Sequence, residues 1–261
     1  MSLSELEKQL GHSLFERKNN RLFINDFGKQ LLPLADEQIE RSKLIASLFS
    51  NNTTLSGKLR IGASNTLGNH LLPLLLADFR RQFDHHNQSL LIDNSQTIGE
   101  QIKEYELDIG LVEANLFDSH LQSIKWLKDE MVIVANKDHH LADKKHLNIN
   151  DLEGQQWILR EPGSGSRTFF INQIGRKLNH YHVSLELKST EAIINCTSAG
   201  LGIACISKVA VRHALADKRL KKLNINVDMH RDYWLIWHKD RYQTPLLKQF
   251  INFSKDWELP F

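Results

Sequence analysis

The sequence predicts an α/β fold of two lobes, preceded by a small N-terminal module and a long helix. Short apolar runs alternate with amphipathic helical segments over residues 58–257, a pattern typical of mostly parallel sheets with helices on both faces. The alternation falls into two series that separate near residue 136, which indicates two lobes rather than one. With 261 residues, the chain is long enough for two domains of ordinary size.

The N-terminal module is predicted to be a short helix followed by a β-hairpin. Leu3, Leu6 and Leu10 recur at helical spacing, and Gly11 follows them as a C-cap would. Residues 15–24 then predict two short strands joined by a basic tip. The cations of that tip are Arg17, Lys18 and Arg21.

A long helix is predicted over residues 26–50, with Asn25 and Asp26 as N-caps. Its apolar residues form a stripe, made of Phe27, Leu31, Leu34, Ile39, Ile45, Leu48 and Phe49. Two surfaces could cover that stripe: a second copy of the helix, by coiled-coil packing, or the chain's own lobes. Residues 51–57 are polar and turn-rich, which predicts a hinge linker between the helix and the lobes.

The elements of the two lobes follow in regular order. The predicted strands are 58–63, 89–94, 107–112, 131–135, 157–159, 184–187, 203–206 and 234–237. The predicted helices are 70–83, 98–105, 167–178, 190–199, 208–216 and 245–257.

Composition excludes several classes of protein. The formal charge is +2, from 33 basic and 31 acidic residues, so no global field draws the chain to nucleic acid or to a membrane surface. No stretch approaches the ~20 apolar residues that a membrane-spanning helix needs. Cys196 and Cys205 are too few for a disulfide scaffold and lie in apolar patterns, which predicts buried thiols and a reducing cytoplasm.

Four strand-to-helix turns are rich in small hydroxyl residues and glycine, at 64–68, 95–99, 162–168 and 189–191. Helix N-termini carry unpaired N–H groups and favour negative charge, and facing lobes would aim all four at one cleft. The predicted anion-binding residues are Ser64, Asn65, Thr66, Thr97, Ser164, Gly165, Ser166 and Thr190. Arg167 could pair with the anion or point outward. The alternative is that these residues only cap their helices.

The sequence contains none of the common catalytic or metal-binding motifs that we compared with it. It contains no G-x-S-x-G elbow, no phosphate-binding P-loop and no H-E-x-x-H helix. Histidines pair at 85–86, 139–140 and 180–182, but no cysteine lies close enough in sequence to complete a metal set. We therefore predict no enzyme activity, no metal and no cofactor.

Residues 6–17 carry a family resemblance and have the sequence L-E-K-Q-L-G-H-S-L-F-E-R. This resembles L-E-x-x-L-G-x-x-L-F-x-R of LysR-type transcriptional regulators, where it closes the recognition helix and enters the wing. Residues 24–28 stand where that family has L-T-x-A-G before its linker helix, with Asn25 for Thr and Phe27 for Ala. Further segments similar to the family's effector lobes are 107–111, 160–167 and 199–204.

The resemblance implies a two-lobed effector domain similar to type 2 periplasmic binding proteins, behind a wing remnant and a linker helix. Its implied boundaries are 1–25 for the winged helix-turn-helix remnant, 26–50 for the linker helix, 51–57 for the hinge, 57–136 with 238–257 for lobe I, and 137–237 for lobe II. Chain crossings are expected near 134–137 and 237–239. Met1 falls inside the family's recognition helix, so the chain is expected to be truncated or to start late.

The same resemblance implies a ligand-responsive bacterial transcription regulator that is a homodimer or homotetramer. Its expected partners are operator DNA and a small anionic effector in the cleft between the lobes. Arg17, Lys18 and Arg21 would contact DNA phosphates. The alternative function is a solute-binding protein of the same fold without a role on DNA, which would have no use for a wing or a dimerisation helix.

Overall fold

The N-terminal module is a helix followed by a hairpin, in a computed structural model that describes residues 2–18, 21–48 and 55–259. Its elements are α1 Leu3–Leu10, β1 Phe15–Lys18 and β2 Arg21–Ile24. Ser2 and Glu5 form a capping box at the start of α1, and Gly11 ends it with a left-handed φ of 73°. Strands β1 and β2 pair antiparallel, which confirms the predicted hairpin.

The long helix α2 covers Asp26–Leu48. Asn25 is its N-cap, because the Asn25 side-chain oxygen accepts the N–H of Gly28 at 3.0 Å. A Cβ on Gly28 would lie 2.3 Å from the Leu14 carbonyl oxygen, so only glycine lets the first turn pack on the hairpin. The predicted end of the helix at 49–50 and the hinge residues 51–54 lie outside the described residues.

The apolar stripe of α2 faces solvent over much of its length. The exposed fractions of its side chains are 48% for Phe27, 61% for Leu34, 53% for Ile39 and 59% for Ile45. Leu31 is half-buried, and the side chains of Leu48 and Phe49 lie outside the described residues. The described part of the stripe is therefore largely uncovered by the chain's own lobes.

Lobe I contains strands β3 Leu59–Ser64, β4 Gln88–Asp93 and β5 Ile109–Val112, most of β6 Leu121–Asn136, and β11 His230–His238. Its helices are α3 Leu72–Phe83, which follows a π-helical turn, α4 Ser95–Lys103 and α8 Pro245–Asp256. Strand β3 runs parallel to β4 and β5, whereas β11 runs antiparallel to β5 and β6.

Lobe II contains strands β7 Gln156–Arg160, β8 His182–Leu187, β9 Ala204–Ser207 and β10 Leu220–Leu223. Its helices are α5 Gly165–Gln173, α6 Thr190–Ser198 and α7 Lys208–Ala216. The two-lobed α/β fold is thus confirmed, but the main sheet is mixed rather than mostly parallel, because the two strands that join the lobes run antiparallel to their neighbours.

Strand β6 belongs to both lobes. Its first part, up to Glu130, pairs with β11, and its second part, from Met131, pairs with β9 and β10. The Met131 N–H donates to the Met229 carbonyl at 2.7 Å, where the chain returns. The crossings therefore lie earlier along the sequence than the boundaries predicted at 136/137 and 237/238.

The physical reason for that difference is burial. Residues 131–135 are buried on both faces and form a continuous apolar run, whereas residues 121–130 are mostly half-exposed and carry charges. The apolar pattern therefore revealed only the last part of β6. The first part of β11 was missed for the same reason, since it alternates exposed and buried residues around Arg231 and Asp232.

The two cysteines differ in burial. Cys205 is buried in β9, and burial raises the pKa of its thiol to about 12, as expected for an inert core residue. Cys196 on α6 is half-buried, so the prediction that both thiols lie in the core is wrong for Cys196.

Candidate ligand site between the lobes

A buried carboxylate lies where the helix N-termini of the two lobes meet. Glu113 directly follows β5, and its side chain is 1% exposed. One carboxylate oxygen, Oε1, accepts the backbone N–H of Thr66 at 3.0 Å. The other, Oε2, accepts the hydroxyl of Ser166 at 2.9 Å, from the first turn of α5 in the other lobe. A carboxylate of the chain itself therefore joins the two lobes.

Arg231, on β11, neutralises this carboxylate. Its Nη1 lies 3.1 Å from Oε2 of Glu113 and 3.3 Å from the Ser166 hydroxyl oxygen. Its Nε lies 2.7 Å from Asp129, which also accepts the hydroxyl of Ser207 at 2.8 Å. Glu113, Arg231, Asp129, Ser166 and Ser207 form what we call the cleft network, and all five are buried.

The surroundings keep Glu113 ionised. Burial raises the pKa of its carboxyl, but the charge of Arg231, the hydrogen bond from Thr66, the charge of Arg160 and the hydrogen bond from Ser166 together lower it to about 2. Burial lowers the pKa of Arg231, and its two carboxylate partners raise it by more than that. The cleft thus holds a stable charged network and not a proton shared near neutral pH.

The lobes close tightly over this network. A Cβ on Gly165 would lie 2.5 Å from the Cβ of Glu113, so the first turn of α5 approaches as closely as only glycine allows. In the preceding turn, the Gly163 carbonyl accepts the N–H of Gln96 at the start of α4, at 3.2 Å. Gly163 has a left-handed φ of 86° and lies against the side chains of Gln96 and Asn94.

A second buried ion pair lies in lobe II. Arg160 donates to Glu161 from two nitrogens, at 2.8 and 2.9 Å, and from a third to the hydroxyl of Thr190 at 3.2 Å. Both charged side chains are nearly inaccessible. The Thr190 hydroxyl is therefore already bonded within its own lobe.

Helix capping, the alternative role for the hydroxyl turns, belongs to other residues. Asn94 caps α4 by accepting the N–H of Thr97 at 2.9 Å, and Ser189 caps α6 by accepting the N–H of Ala192 at 3.3 Å. Ser164 occupies the N-cap position of α5 without a side-chain bond to the helix. Asn94 and Ser189 are therefore helix caps. The predicted site residues do not cap these helices through their side chains.

Among the network and the predicted site residues, three buried polar atoms have no partner in the described chain. They are the hydroxyl oxygen of Ser64, at the end of β3, Nε of Arg167 and Nη2 of Arg231. Ser64 is 2% exposed. Buried polar atoms are nearly always hydrogen-bonded in folded proteins, so each of these donors could be satisfied by a polar ligand or by water.

The structure gathers some predicted site residues and separates others. Thr66 and Ser166 meet at Glu113, and Gly165 lies against its backbone. Asn65 bonds locally to Asn69 on its own helix. Arg167 donates to the Arg160 carbonyl at 3.0 Å and to Glu186 at 3.4 Å, both in lobe II, and its side chain is only 15% exposed, so it neither points out into solvent nor reaches Glu113.

Sequence reasoning missed the charged members of the site, namely Glu113, Asp129, Arg160, Glu161 and Arg231. Glu113 had a usable signal, because a lone acid directly after a buried parallel strand lies at the ligand-binding edge of the sheet. Asp129 and Arg231 had none, since they lie in strand segments without an apolar pattern. No group of three metal-ligating side chains occurs within the described ranges.

Comparison with known proteins agrees with this architecture. Residues 52–258 match the family described as the LysR substrate binding domain. The chain belongs to the LysR family. It is 31% identical over 260 residues to the HTH-type transcriptional regulator YeiE of Escherichia coli K12. The alignment covers 99% of this chain and 87% of that protein. It is 28% identical to HTH-type transcriptional regulator CysL of Bacillus subtilis, over 87% of this chain and 76% of that protein.

Solved structures of LysR regulators share the fold. The regulatory domain of Synechocystis PCC6803 CcmR, in complex with 2-PG, matches with a TM-score of 0.70 and 26% identity, over 77% of this chain and 96% of that one. A full-length OxyR variant from Pseudomonas aeruginosa matches with a TM-score of 0.76 at 19% identity, over 97% and 82% of the two chains. The second match shows the fold alone.

The LysR chain described here is thus a transcriptional regulator with an effector-binding domain of the periplasmic-binding-protein type. The match to YeiE runs through the N-terminal module as well as the lobes, which favours a regulator over the solute-binding protein considered as the alternative. Its relatives are regulators and not enzymes. Among the described helices, none is both long and apolar enough to cross a membrane.

Proposed function

We propose that this LysR regulator senses a small carboxylate or oxyanion in the cleft between its lobes. The observation that carries the proposal is the Glu113 carboxylate, which is held by a backbone N–H, a hydroxyl and a guanidinium from three separate elements. A pocket that stabilises one carboxylate so strongly has the donor set that another carboxylate or oxyanion needs.

In this proposal the effector takes the donors that Glu113 now uses. Ser64, Thr66, Ser164, Gly165, Ser166 and Thr190 remain the proposed ligand residues, with Asn65 and Thr97 at the edge. Arg231 replaces Arg167 as the arginine that pairs with the anion, because Arg231 donates to Glu113, whereas Arg167 donates to groups of its own lobe. Binding then requires the Glu113 side chain to turn away, since two unpaired carboxylates in one buried site repel each other.

Titration calorimetry with small anions tests this function. The probes are sulfate, phosphate and carboxylates of two to four carbons, each beside its neutral amide or ester where one exists. For an anion that binds, Ser64→Ala is expected to weaken affinity about tenfold or more, since a hydrogen bond to a charged group contributes about 1.5–3 kcal/mol. Unfolding without ligand should change little, because the Ser64 hydroxyl has no partner in the described chain.

Ser189→Ala is the matched control. The Ser189 hydroxyl caps α6, so this variant should lose about 1 kcal/mol of stability and keep the affinity for the anion. Wild-type affinity in both Ser64→Ala and Thr97→Ala would contradict the cleft assignment. Tighter binding of the neutral amides than of the anions would contradict the proposed charge of the effector.

We also propose that the chain assembles through α2 and meets DNA through its hairpin. The exposed stripe of α2 supports pairing between subunits as a homodimer or homotetramer. Arg17 and Arg21 are exposed, and Lys18 lies directly opposite Arg21 in the hairpin register. The exposure of Arg17 and Arg21 supports phosphate contacts by these two, and Lys18 stays in the proposal through its place in the hairpin. Replacing Leu31 and Leu34 by Glu should dissociate the oligomer in sedimentation, and an unchanged profile would contradict the pairing.

A further inference from the structure

The linker helix α2 contacts lobe I through charged side chains. Arg241, three residues beyond the end of β11, places Nη2 at 3.5 Å from Asp36 in the middle of the helix. Nearer the hairpin, Lys29 Nζ lies 2.9 Å from Glu104, at the end of α4. We call Lys29, Asp36, Glu104 and Arg241 the junction latch.

Lobe I holds Arg241 firmly in place. The same Nη2 lies 2.6 Å from Asp108, and Nη1 donates to the carbonyls of Tyr105 and Leu107 at 3.4 Å each. The guanidinium also lies over the Tyr105 ring, 5.6 Å from its centroid. Arg241 is 8% exposed, whereas Asp36 is 34% exposed. Lobe I therefore presents a fixed, buried cation to a partly exposed carboxylate on the helix.

Apolar packing contributes little at this junction. A groove of about 710 Å³ runs between α2 and lobe I, bordered by Leu34 from the helix and by Tyr105 and His238 from the lobe. Leu34 remains 61% exposed there. Since buried apolar area supplies most of the energy of stable interfaces, the two ion pairs carry a larger share of this contact than charges usually do.

We propose that the junction latch sets the angle between the linker helix and lobe I, and that the angle is released when either ion pair breaks. The Lys29–Glu104 pair is exposed, and such pairs are weak and screened by salt. In the other pair Asp36 is partly exposed, and Arg241 keeps its closer pair with Asp108 when Asp36 leaves. The latch is therefore a contact that forms and opens under ordinary solution conditions. This holds whether or not the cleft binds an anion, because no latch residue belongs to the cleft network.

Distances between spin labels test the latch. Labels at Gln38→Cys on α2 and Gln82→Cys on α3, in a chain with Cys196→Ser and diluted with unlabelled protein, report the angle without any effector. Asp36→Asn and Lys29→Glu are each expected to increase the population of other distances about two- to fivefold, the range that an exposed pair contributes. Raising the salt from about 50 to about 500 mM should do the same in the wild type.

Two variants make the test specific. Glu37→Gln is the matched control, because Glu37 neighbours Asp36 but pairs within the helix, with Arg41 at 2.7 Å. It should leave the distances unchanged. The double variant Lys29→Glu with Glu104→Lys should restore the wild-type distribution. An unchanged distribution in either Asp36→Asn or Lys29→Glu, or no restoration by the double variant, would overturn the latch.

Discussion

The cleft between the lobes and the junction beside the linker helix are both held by cation–carboxylate pairs, but in opposite surroundings. In the cleft, the side chains of Arg231, Glu113 and Asp129 are exposed by 6%, 1% and 0%. At the junction, Lys29, Glu104 and Asp36 are exposed by 38%, 47% and 34%, and only Arg241 is buried, at 8%. Similar chemistry thus occurs once without water and once with at least one partner of each pair in contact with water.

The difference in exposure makes the cleft ion pairs hard to break and the junction ion pairs easy to break and re-form. A buried pair is hard to break, because each partner left alone is a charge without solvent. An exposed pair is replaced by water at little cost and is weakened further by salt. The cleft network is therefore suited to define one closed arrangement of the lobes, and the junction latch is suited to change.

The largest expected effect is the removal of the cleft cation. Arg231→Met leaves Glu113 and Asp129 as buried unpaired carboxylates and is expected to cost about 3–5 kcal/mol in the free energy of unfolding. The matched change at the junction, Lys29→Met, should alter it by less than about 0.5 kcal/mol. Urea unfolding of both variants checks the contrast. Equal losses would remove the distinction between the two regions.

Arg231→Lys is a second variant for the case that Arg231→Met does not fold. A lysine keeps the charge but cannot reach Glu113 and Asp129 with separate nitrogens of one planar fork. An intermediate loss is expected, with lobes that still unfold cooperatively in urea.

Acid is expected to destabilise the fold through the cleft carboxylate Glu113. The folded-state pKa of Glu113 lies at about 2, below its ordinary 4.5, so its pairing stabilises the fold above pH 4.5 and is lost as the pH falls from 4.5 towards 2. The difference corresponds to about 3 kcal/mol. Unfolding free energies measured across that range should fall less steeply in Glu113→Gln than in the wild type. Parallel curves would contradict the assignment of this pKa.

The smallest expected effect concerns the close fit of the lobes. Gly163→Ala adds a Cβ at 2.9 Å from the Gln96 side-chain oxygen and at a φ of 86°. Gly154→Ala has a similar φ of 70° but nothing within 4 Å of the added carbon. Both variants incur the backbone strain, and Gly163→Ala should lose about 1 kcal/mol more through the contact. Thermal unfolding compares them, and equal shifts would show that the lobes yield there without loss of stability.

Much of the fold was predictable because its elements carry apolar patterns. The α1 helix, the hairpin, the N-cap at Asn25 and the alternation of strands and helices all follow from local residue chemistry. The first half of β6 and strand β10 were missed, since the first is mostly half-exposed and charged and the second carries two exposed lysines, Lys221 and Lys222. A strand that joins two lobes is set by tertiary pairing rather than by its own pattern.

The sequence analysis named only the neutral half of the candidate site. Hydroxyl and glycine turns at helix starts pointed to Thr66, Gly165 and Ser166, because capping chemistry is local. Glu113 and Arg231 are far apart in sequence and acquire their roles only when β5 and β11 pair. Charged residues on a half-exposed strand look like ordinary surface until the second lobe covers them.

The shared strand β6 also limits how the lobes can move. Within residues 55–259, two chain segments cross between the lobes, at Glu130–Met131 and at Met229–His230. The two crossings form a two-stranded hinge, which permits rotation of the lobes about a single axis. Asp129 and Arg231 are cross-strand partners beside that axis, where displacement is smallest. Ser166 belongs to the other lobe and contacts Glu113 and Arg231 across the cleft. When the lobes rotate apart, the hydrogen bond between Ser166 and Glu113 should lengthen first, while the Arg231–Asp129 ion pair beside the hinge stays intact.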